Sequence, residues 1–422
     1  MSEEATTETE HGSAERCAAA TPEETTPSAA VQPRREPRWA LFRSVFALSA
    51  LSWGGIALIA QLELHYVERA RRLTRSEFSD LVALAWMSPG AVGCNVAVLV
   101  GHALAGGAGA WIAGAASVLP FFCAMTAFAA FYHSPVVRAF ATPALINHFA
   151  VVLGTLIALT WYRQVRTLMH SRIEWIAALL ASAVLLFAQV GSVFVLLLAC
   201  AFFAGWVASP ERPGRRLAFS LTRGDKLLLA ALTALIAIFA LPVPARYQSL
   251  LVLPRLSGAA LTLFGGGFSA LPVLKMLFVA PGVGVTLHDF TLAFALSPVS
   301  PGPLLNVVPF LGYLIHGVAG AAAATLAYFV PSGALVVFAR RHLQRLETNI
   351  RVEHGMRVLR AATTAFLVAA VAHVYEHVPF TGTALGTAVF SLIALARFKM
   401  PVYAVYLVVA IVYTASTALS LG

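Results

Sequence analysis

Apolar residues run along this chain in long blocks separated by short polar breaks. The blocks cover 39–62, 77–88, 91–105, 108–131, 139–162, 173–188 and 190–208. After a polar loop at 209–225 come 226–244, 257–279, 290–299, 303–316, 318–339, 358–373, 382–396 and 401–420. Runs of about 20 apolar residues are long enough to cross a bilayer as helices. The alternation expected of membrane strands is absent, which argues against a β-barrel. The pattern predicts an all-α polytopic membrane protein. Residues 1–37 differ: they are rich in Glu, Thr, Ala and Pro and hold no apolar block. Such a segment cannot bury enough surface to fold and lacks the apolar centre of a signal peptide. It reads as a disordered cytoplasmic tail.

The blocks repeat. Trp53-Gly54-Gly55 recurs about 211 residues later as Phe264-Gly265-Gly266, followed by Gly267. Ser88-Pro89-Gly90 recurs as Ser300-Pro301-Gly302, and Asn95 as Asn306. Gly101, Gly106, Gly109 and Pro120 recur as Gly312, Gly317, Gly320 and Pro331. Breaks of this kind at matching places in two apolar halves point to a transport site between them.

Composition agrees with the membrane reading: 59% of the 422 residues are hydrophobic, 11% are charged, and the mean hydropathy is +0.80. The formal charge of +10 sits in short loops, so it argues for a sided membrane protein rather than for a nucleic-acid partner. Matched loops carry opposite bias. Arg69, Arg71, Arg72 and Arg75 face a partner loop at 281–288 with no Lys or Arg, and Arg163, Arg166 and Arg172 face a bare 374–383. The bias then reverses. Segment 132–138 has only Arg138 against Arg340, Arg341, Arg345, Arg351 and Arg357, and 189–190 has none against Arg397 and Lys399. Cationic loops mark the cytoplasm, so the halves are related by inverted topology. The unpaired block 226–244 is the crossing that flips them.

This gives a tail at 1–37, a membrane repeat at 38–210, a linker with the inverting helix at 211–256, and a second repeat at 257–422. A single crossing by 39–62 would leave Arg69–Arg75 outside, whereas a turn at Gly54-Gly55 keeps them inside. The same logic folds 77–105 back at Pro89-Gly90. Two inverted-topology repeats built from broken, re-entrant helical hairpins follow, with the breaks covered by protein or water.

The doubled W/F-G-G, the S-P-G turn, the G-x4-G-x2-G-A stretch and the following L/V-P resemble the chromate ion transporter family over 40–210 and 255–420. Trp53 stands where that family usually has Phe, and its P-G-P turn is complete at Pro301-Gly302-Pro303 but reads Pro89-Gly90-Ala91 in the first half. The resemblance implies a carrier that exports chromate or a sulfate-like oxyanion.

A tetrahedral dianion needs hydrogen-bond donors. A helix that begins at mid-membrane presents unpaired N–H groups and a positive dipole end, and glycine lets an anion approach the backbone. Gly54, Gly55, Gly265, Gly266, Gly267 and the turns Pro89-Gly90 and Pro301-Gly302 make a candidate cradle. Ser88, Ser300, Asn95 and Asn306 are candidate side-chain donors. Helix packing explains Gly106, Gly109, Gly317 and Gly320 better. Lys275, inside an apolar hairpin, is either a site cation or a snorkelling lysine. Arg246 and Arg255 read as interface anchors before an anion-steering vestibule.

Glu63, His102 and His316 are candidates for proton coupling. His373, Glu376 and His377 have metal-like spacing but read as a solvated rim. Cys17, Cys94, Cys123 and Cys200 show no CxxC spacing and, in the apolar blocks, read as packing residues, so neither a metal nor another cofactor is expected.

No Walker A motif is present, which points to a secondary carrier. Moving each negative charge out of a negative-inside cell releases about 2.3 kcal/mol per 100 mV. The expected setting is the bacterial inner (plasma) membrane, multi-pass, with the N-terminus cytoplasmic, and the reading allows a homodimer. An intramembrane phosphatase is the alternative enzyme, but the Pro-Gly turns lack an adjacent Arg. Transport of another organic anion or a lipid is the third reading.

Overall fold

The computed structural model describes residues 36–132, 134–135, 142–188, 190–209, 221–264, 267–302, 304–346, 350–376 and 378–420. Residues 1–35 of the proposed tail, Gly265, Gly266, Pro303, Arg138 and His377 lie outside them. Among the described residues the chain is helical throughout, and four helices are long and apolar enough to cross a membrane.

The first half opens with α1 (Arg38–Ala50) and α2 (Gly55–Glu63), which runs on as a π-helical turn at Leu64–Arg69. The Ser44 and Tyr66 hydroxyls lie 2.6 Å apart, so the end of this segment returns to the middle of α1. The pair is therefore a re-entrant hairpin that turns at Trp53-Gly54. A second hairpin joins α3 (Arg75–Met87) to α4 (Val92–Phe131) through Ser88-Pro89-Gly90. Leu58, Leu62, Phe78, Leu81, Leu84, Val96 and Leu99 form the common core of both hairpins.

Helix α4 folds back on itself. Ala105 and Gly106 leave the helical region, with Gly106 at φ +65°. A methyl placed on Gly101 would meet the Gly109 carbonyl and come within 2.5 Å of the Ala113 Cβ. Residues eight apart in a straight helix are separated by about 12 Å, so the chain must reverse at Gly106. Gly101 and Gly109 let the two arms touch backbone to backbone.

Helices α5 (Pro143–Leu168), α6 (Arg172–Phe187) and α7 (Gly191–Val207) complete this half. Helix α8 (Arg223–Ala240) then crosses to the second. There α9 (Ala245–Ala260) and α10 (Leu271–Phe278), joined through a 3-10 turn at Gly267–Ala270, make the third hairpin. The fourth joins α11 (Leu287–Leu296) to α12 (Val307–Leu346), and α12 reverses at His316–Gly317 as α4 does at Ala105–Gly106. Helices α13 (Ile350–Tyr375), α14 (Gly382–Ala396) and α15 (Val402–Ser420) follow.

Local sequence explains where the legs start. Helices α3 and α11 occupy matching places, and each begins with a reciprocal capping box, Thr74 with Glu77 and Thr286 with Asp289. Helices α2, α4 and α10 begin at breaks, after Gly54, Ala91 and Ala270, with no side-chain cap.

Contacts also sort the turns onto two faces. Arg340, late in α12, reaches His102 at the α4 reversal, and Asp225 at the start of α8 lies 3.8 Å from Arg341. These groups share the arginine-rich face. The ends of α10 and α13 meet on the opposite face, where Lys275 contacts His373 and Glu376.

Cys94 is buried, but Cys123 and Cys200 face outward. An outward thiol is tolerated because lipid tails are as apolar as a core. Arg255 is buried between α8 and α9 and donates to the Phe239 carbonyl at 3.5 Å, so it is not an interface anchor. Arg246 stacks over the Tyr247 ring.

Candidate functional site

The breaks of one half bond to the breaks of the other. The Gly54 amide donates to the Gly302 carbonyl at 3.0 Å, and the Gly302 amide donates to the Ser52 carbonyl at 2.8 Å. Trp53 and Gly302 thus form a short parallel bridge between otherwise helical segments. The other pair repeats half of this: the Gly90 amide donates to the Leu263 carbonyl at 2.8 Å. Ser52 and Leu263 hold the same place, just before Trp53 and Phe264. Gly90 and Gly302 share the left-handed conformation, at φ +99° and +102°, that makes these turns possible.

The two pairs differ in surroundings. The Trp53–Gly302 pair lies on the wall of a 710 Å³ cavity. Its lining includes Trp53, Gly54, Ile56, Trp86, Phe268, Ser297, Ser300 and Gly302 from the hairpins, and Thr160, Arg163, Thr167, Arg360 and Tyr403 from α5, α13 and α15. Trp53 is 47% exposed and its ring lies 5.1 Å from that of Tyr403. A 410 Å³ side cavity shares Leu156, Arg163, Met400 and Val402 with the first and adds Lys399. The Gly90–Leu263 pair is shut in. Leu263 is 3% exposed, and a methyl on Gly90 would come within 2.6 Å of the Ser332 Cβ.

Of the residues expected at an anion site, the fold gathers Gly54, Ser300 and Gly302 on the cavity wall, with Gly55 and Pro301 adjoining them and Gly267 beside Phe268. The Ser300 hydroxyl donates to the Pro301 carbonyl at 3.1 Å. Ser88, Pro89 and Gly90 belong to the closed pair, and the Ser88 hydroxyl donates to Leu84. The asparagines tie the breaks to the helices that follow them. Asn95 Nδ2 donates to the Pro89 carbonyl at 3.0 Å and Asn306 Nδ2 to the Ser297 carbonyl at 2.8 Å. Neither lines the cavity.

The remaining candidates lie at hairpin ends. Lys275 Nζ is 3.5 Å from Glu376 and 3.4 Å from His373 Nδ1. Glu63 is 3.6 Å from Arg75, and His102 Nδ1 lies 2.6 Å from Arg340. His316 sits at the reversal of α12.

Two cations escaped the sequence reading. Arg163 reads as an ordinary loop arginine, and Arg360 is hidden within the apolar block 358–373. An arginine within a candidate span is itself a site signal. Among the described residues, the cavity lining includes both arginines and no Asp, Glu or His.

Electrostatically the cavity is therefore cationic. The start of α2 adds to this, because its first turn has no side-chain cap and opens at Gly54 and Ile56. Uncapped N–H groups and a dipole end in a region poor in water hold an anion and repel a cation.

Comparison with known proteins gives the same direction. The family model described as "Chromate transporter" matches residues 39–206 and 250–415, one match per half. The chain is 28% identical to a chromate transport protein of Pseudomonas aeruginosa, over 80% of this chain and 82% of that one. It is 26% identical to a chromate transport protein of Cupriavidus metallidurans over 67% and 69% of the two chains. An uncharacterized transporter of Methanocaldococcus jannaschii is 25% identical over 78% and 82%. No solved structure matches the chain at a significant level. With both halves matched, this protein belongs to the chromate transporter family.

Proposed function

We propose that this chain is a secondary carrier that exports chromate, or a sulfate-like oxyanion, across the bacterial inner membrane. The N-terminus and the arginine-rich face are cytoplasmic. The anion binds where the Trp53-Gly54 break of one half meets the Ser300–Gly302 break of the other. One observation carries this reading: the uncapped start of α2, bonded at Gly54 to Gly302, opens on a cavity that has arginines and no carboxylate in its lining. The names of the Pseudomonas and Cupriavidus relatives support chromate as substrate. The cationic loops support the orientation. Outward movement of a dianion needs no further energy source at a negative-inside potential.

Family membership makes the chain a transporter rather than an intramembrane phosphatase. Radiolabelled chromate and sulfate flux in proteoliposomes of fixed orientation, with a set potential and competing organic anions, tests the reading. Saturable chromate or sulfate flux in the outward sense supports it. Flux of an organic anion alone, or none, overturns it.

A further inference from the structure

The cavity's charge comes from two places. Arg163 is on α5, close to its C-terminal end, where Lys399 adjoins it through the side cavity. Arg360 is on α13, ten residues past its first residue, Ile350. It stands two residues inside the apolar block that begins at 358. Arg163 and Arg360 thus share the main cavity, and Lys399 joins Arg163 in the side cavity.

An arginine half-buried in an apolar helix is costly unless a partner neutralises it. Among the described residues Arg360 has one hydrogen bond, from Nε to the Met356 carbonyl of its own helix at 3.3 Å. The nearest carboxylate along α13, Glu353, is held by Arg357 at 2.7 Å. Arg357 itself adds a like charge. The guanidinium is half-buried on the cavity wall. All its other donors are left for whatever the cavity takes up.

We propose that Arg360 is the fixed counter-charge of the transported anion, binding it through its planar fork while the amides that follow Gly54 bind it from the start of α2. Arg163 at the cavity mouth is the cation that the anion meets first. This assignment rests on the oxyanion reading above and deepens it. A guanidinium presents paired N–H groups at the spacing of two oxygens on one tetrahedral centre, which an ammonium cannot do. Arg166 belongs to the same helix as Arg163 but stacks on Tyr162 and donates to its hydroxyl at 3.2 Å, outside the cavity lining.

The test measures chromate and sulfate binding to purified full-length protein by ligand-induced thermal shift, together with proteoliposome flux. Wild type, R360Q, R360K, R163Q and R166Q are compared. Removing the charge in R360Q weakens binding about 100-fold or more, since truncating one partner of a buried charge pair is among the largest single losses. R360K keeps the charge but loses the fork and weakens binding about tenfold. R163Q slows flux at low salt more than at high salt, as expected of a steering charge, and R166Q matches wild type.

Should R360Q aggregate, R360K decides: a tenfold loss supports the assignment and unchanged binding overturns it. Full binding and flux in R360Q would also overturn it, even with the carrier reading intact. A wild-type protein that neither binds nor moves either oxyanion overturns the carrier reading and the assignment with it.

Discussion

Gly54 and Gly302, far apart in sequence and on opposite halves of the molecule, are joined backbone to backbone: the Gly54 amide donates to the Gly302 carbonyl at 3.0 Å. The Gly302 amide completes the link to Ser52 at 2.8 Å. A helical membrane protein has few ways to hold non-helical backbone at depth, because each unpaired N–H or C=O costs several kcal/mol there. Here each half satisfies the other's break. The break is then a rigid fixture, and any group that approaches it meets the start of α2.

The two glycines should respond differently to substitution. Gly302 has φ +102°, and a methyl there would come within 2.6 Å of Phe121 Cδ1. Strain and overpacking together should lower stability by about 2–5 kcal/mol in G302A. Gly54 has φ +94° but nothing within 4 Å of an added methyl. G54A should therefore carry the backbone strain alone, about 1–3 kcal/mol, while narrowing the cavity. Thermal melts of the detergent-purified variants, read beside flux, check this: G302A melts early, and G54A folds but transports slowly.

Asn306 is 0% exposed and its Nδ2 donates to the Ser297 carbonyl. N306A leaves that carbonyl bare and should cost about 1–3 kcal/mol. N95A, which frees the Pro89 carbonyl, should cost a similar amount. Melting temperature falls in both, while apparent affinity for the anion in the surviving folded fraction stays near that of wild type. An affinity loss greater than the stability loss would show that the asparagines touch the anion directly.

The repeats and their inversion were legible because glycine and proline mark where a helix must break, and arginine marks which face a loop is on. The reversals at Gly106 and Gly317 were present as gaps between apolar blocks, although these glycines looked like packing residues. In the structure they are the turns, and Gly101 and Gly109 do the packing. The pairing across halves was not legible, because Gly54 and Gly302 meet only once the hairpins are packed. Nor does sequence say which way an asparagine points; Asn95 and Asn306 turned out to bind their own turns. Arg360 was legible in principle, but it stands at the edge of an apolar block and hydropathy averaged it away.

Lys275 drew attention as a cation within an apolar hairpin. Its partners are Glu376 at 3.5 Å and His373, at the end of α13, and Glu376 is more than half exposed. With Glu376 exposed, solvent screens the pair and it contributes about 1 kcal/mol. K275Q should keep chromate flux within about threefold of wild type, in contrast to R360Q. Flux assays on the two variants side by side separate a peripheral ion pair from a site cation.

His102 accepts from Arg340 beside the reversal of α4, a role that needs a neutral ring nitrogen. H102Q preserves an acceptor and should preserve both flux and its pH profile. H102L removes the acceptor and should cost about 1–3 kcal/mol. A flattened pH profile in H102Q would instead mark the ring as a proton carrier, and flux recorded across neutral pH decides between the two.

The most direct measurement is anomalous scattering from chromium in crystals of the full chain soaked with chromate. The anion should appear as one dominant peak in the cavity between Arg360 and the start of α2, within hydrogen-bond reach of the amides that follow Gly54. A peak at Lys275 and His373, or a cavity left empty in protein that transports chromate, would contradict the site and require another route through the molecule.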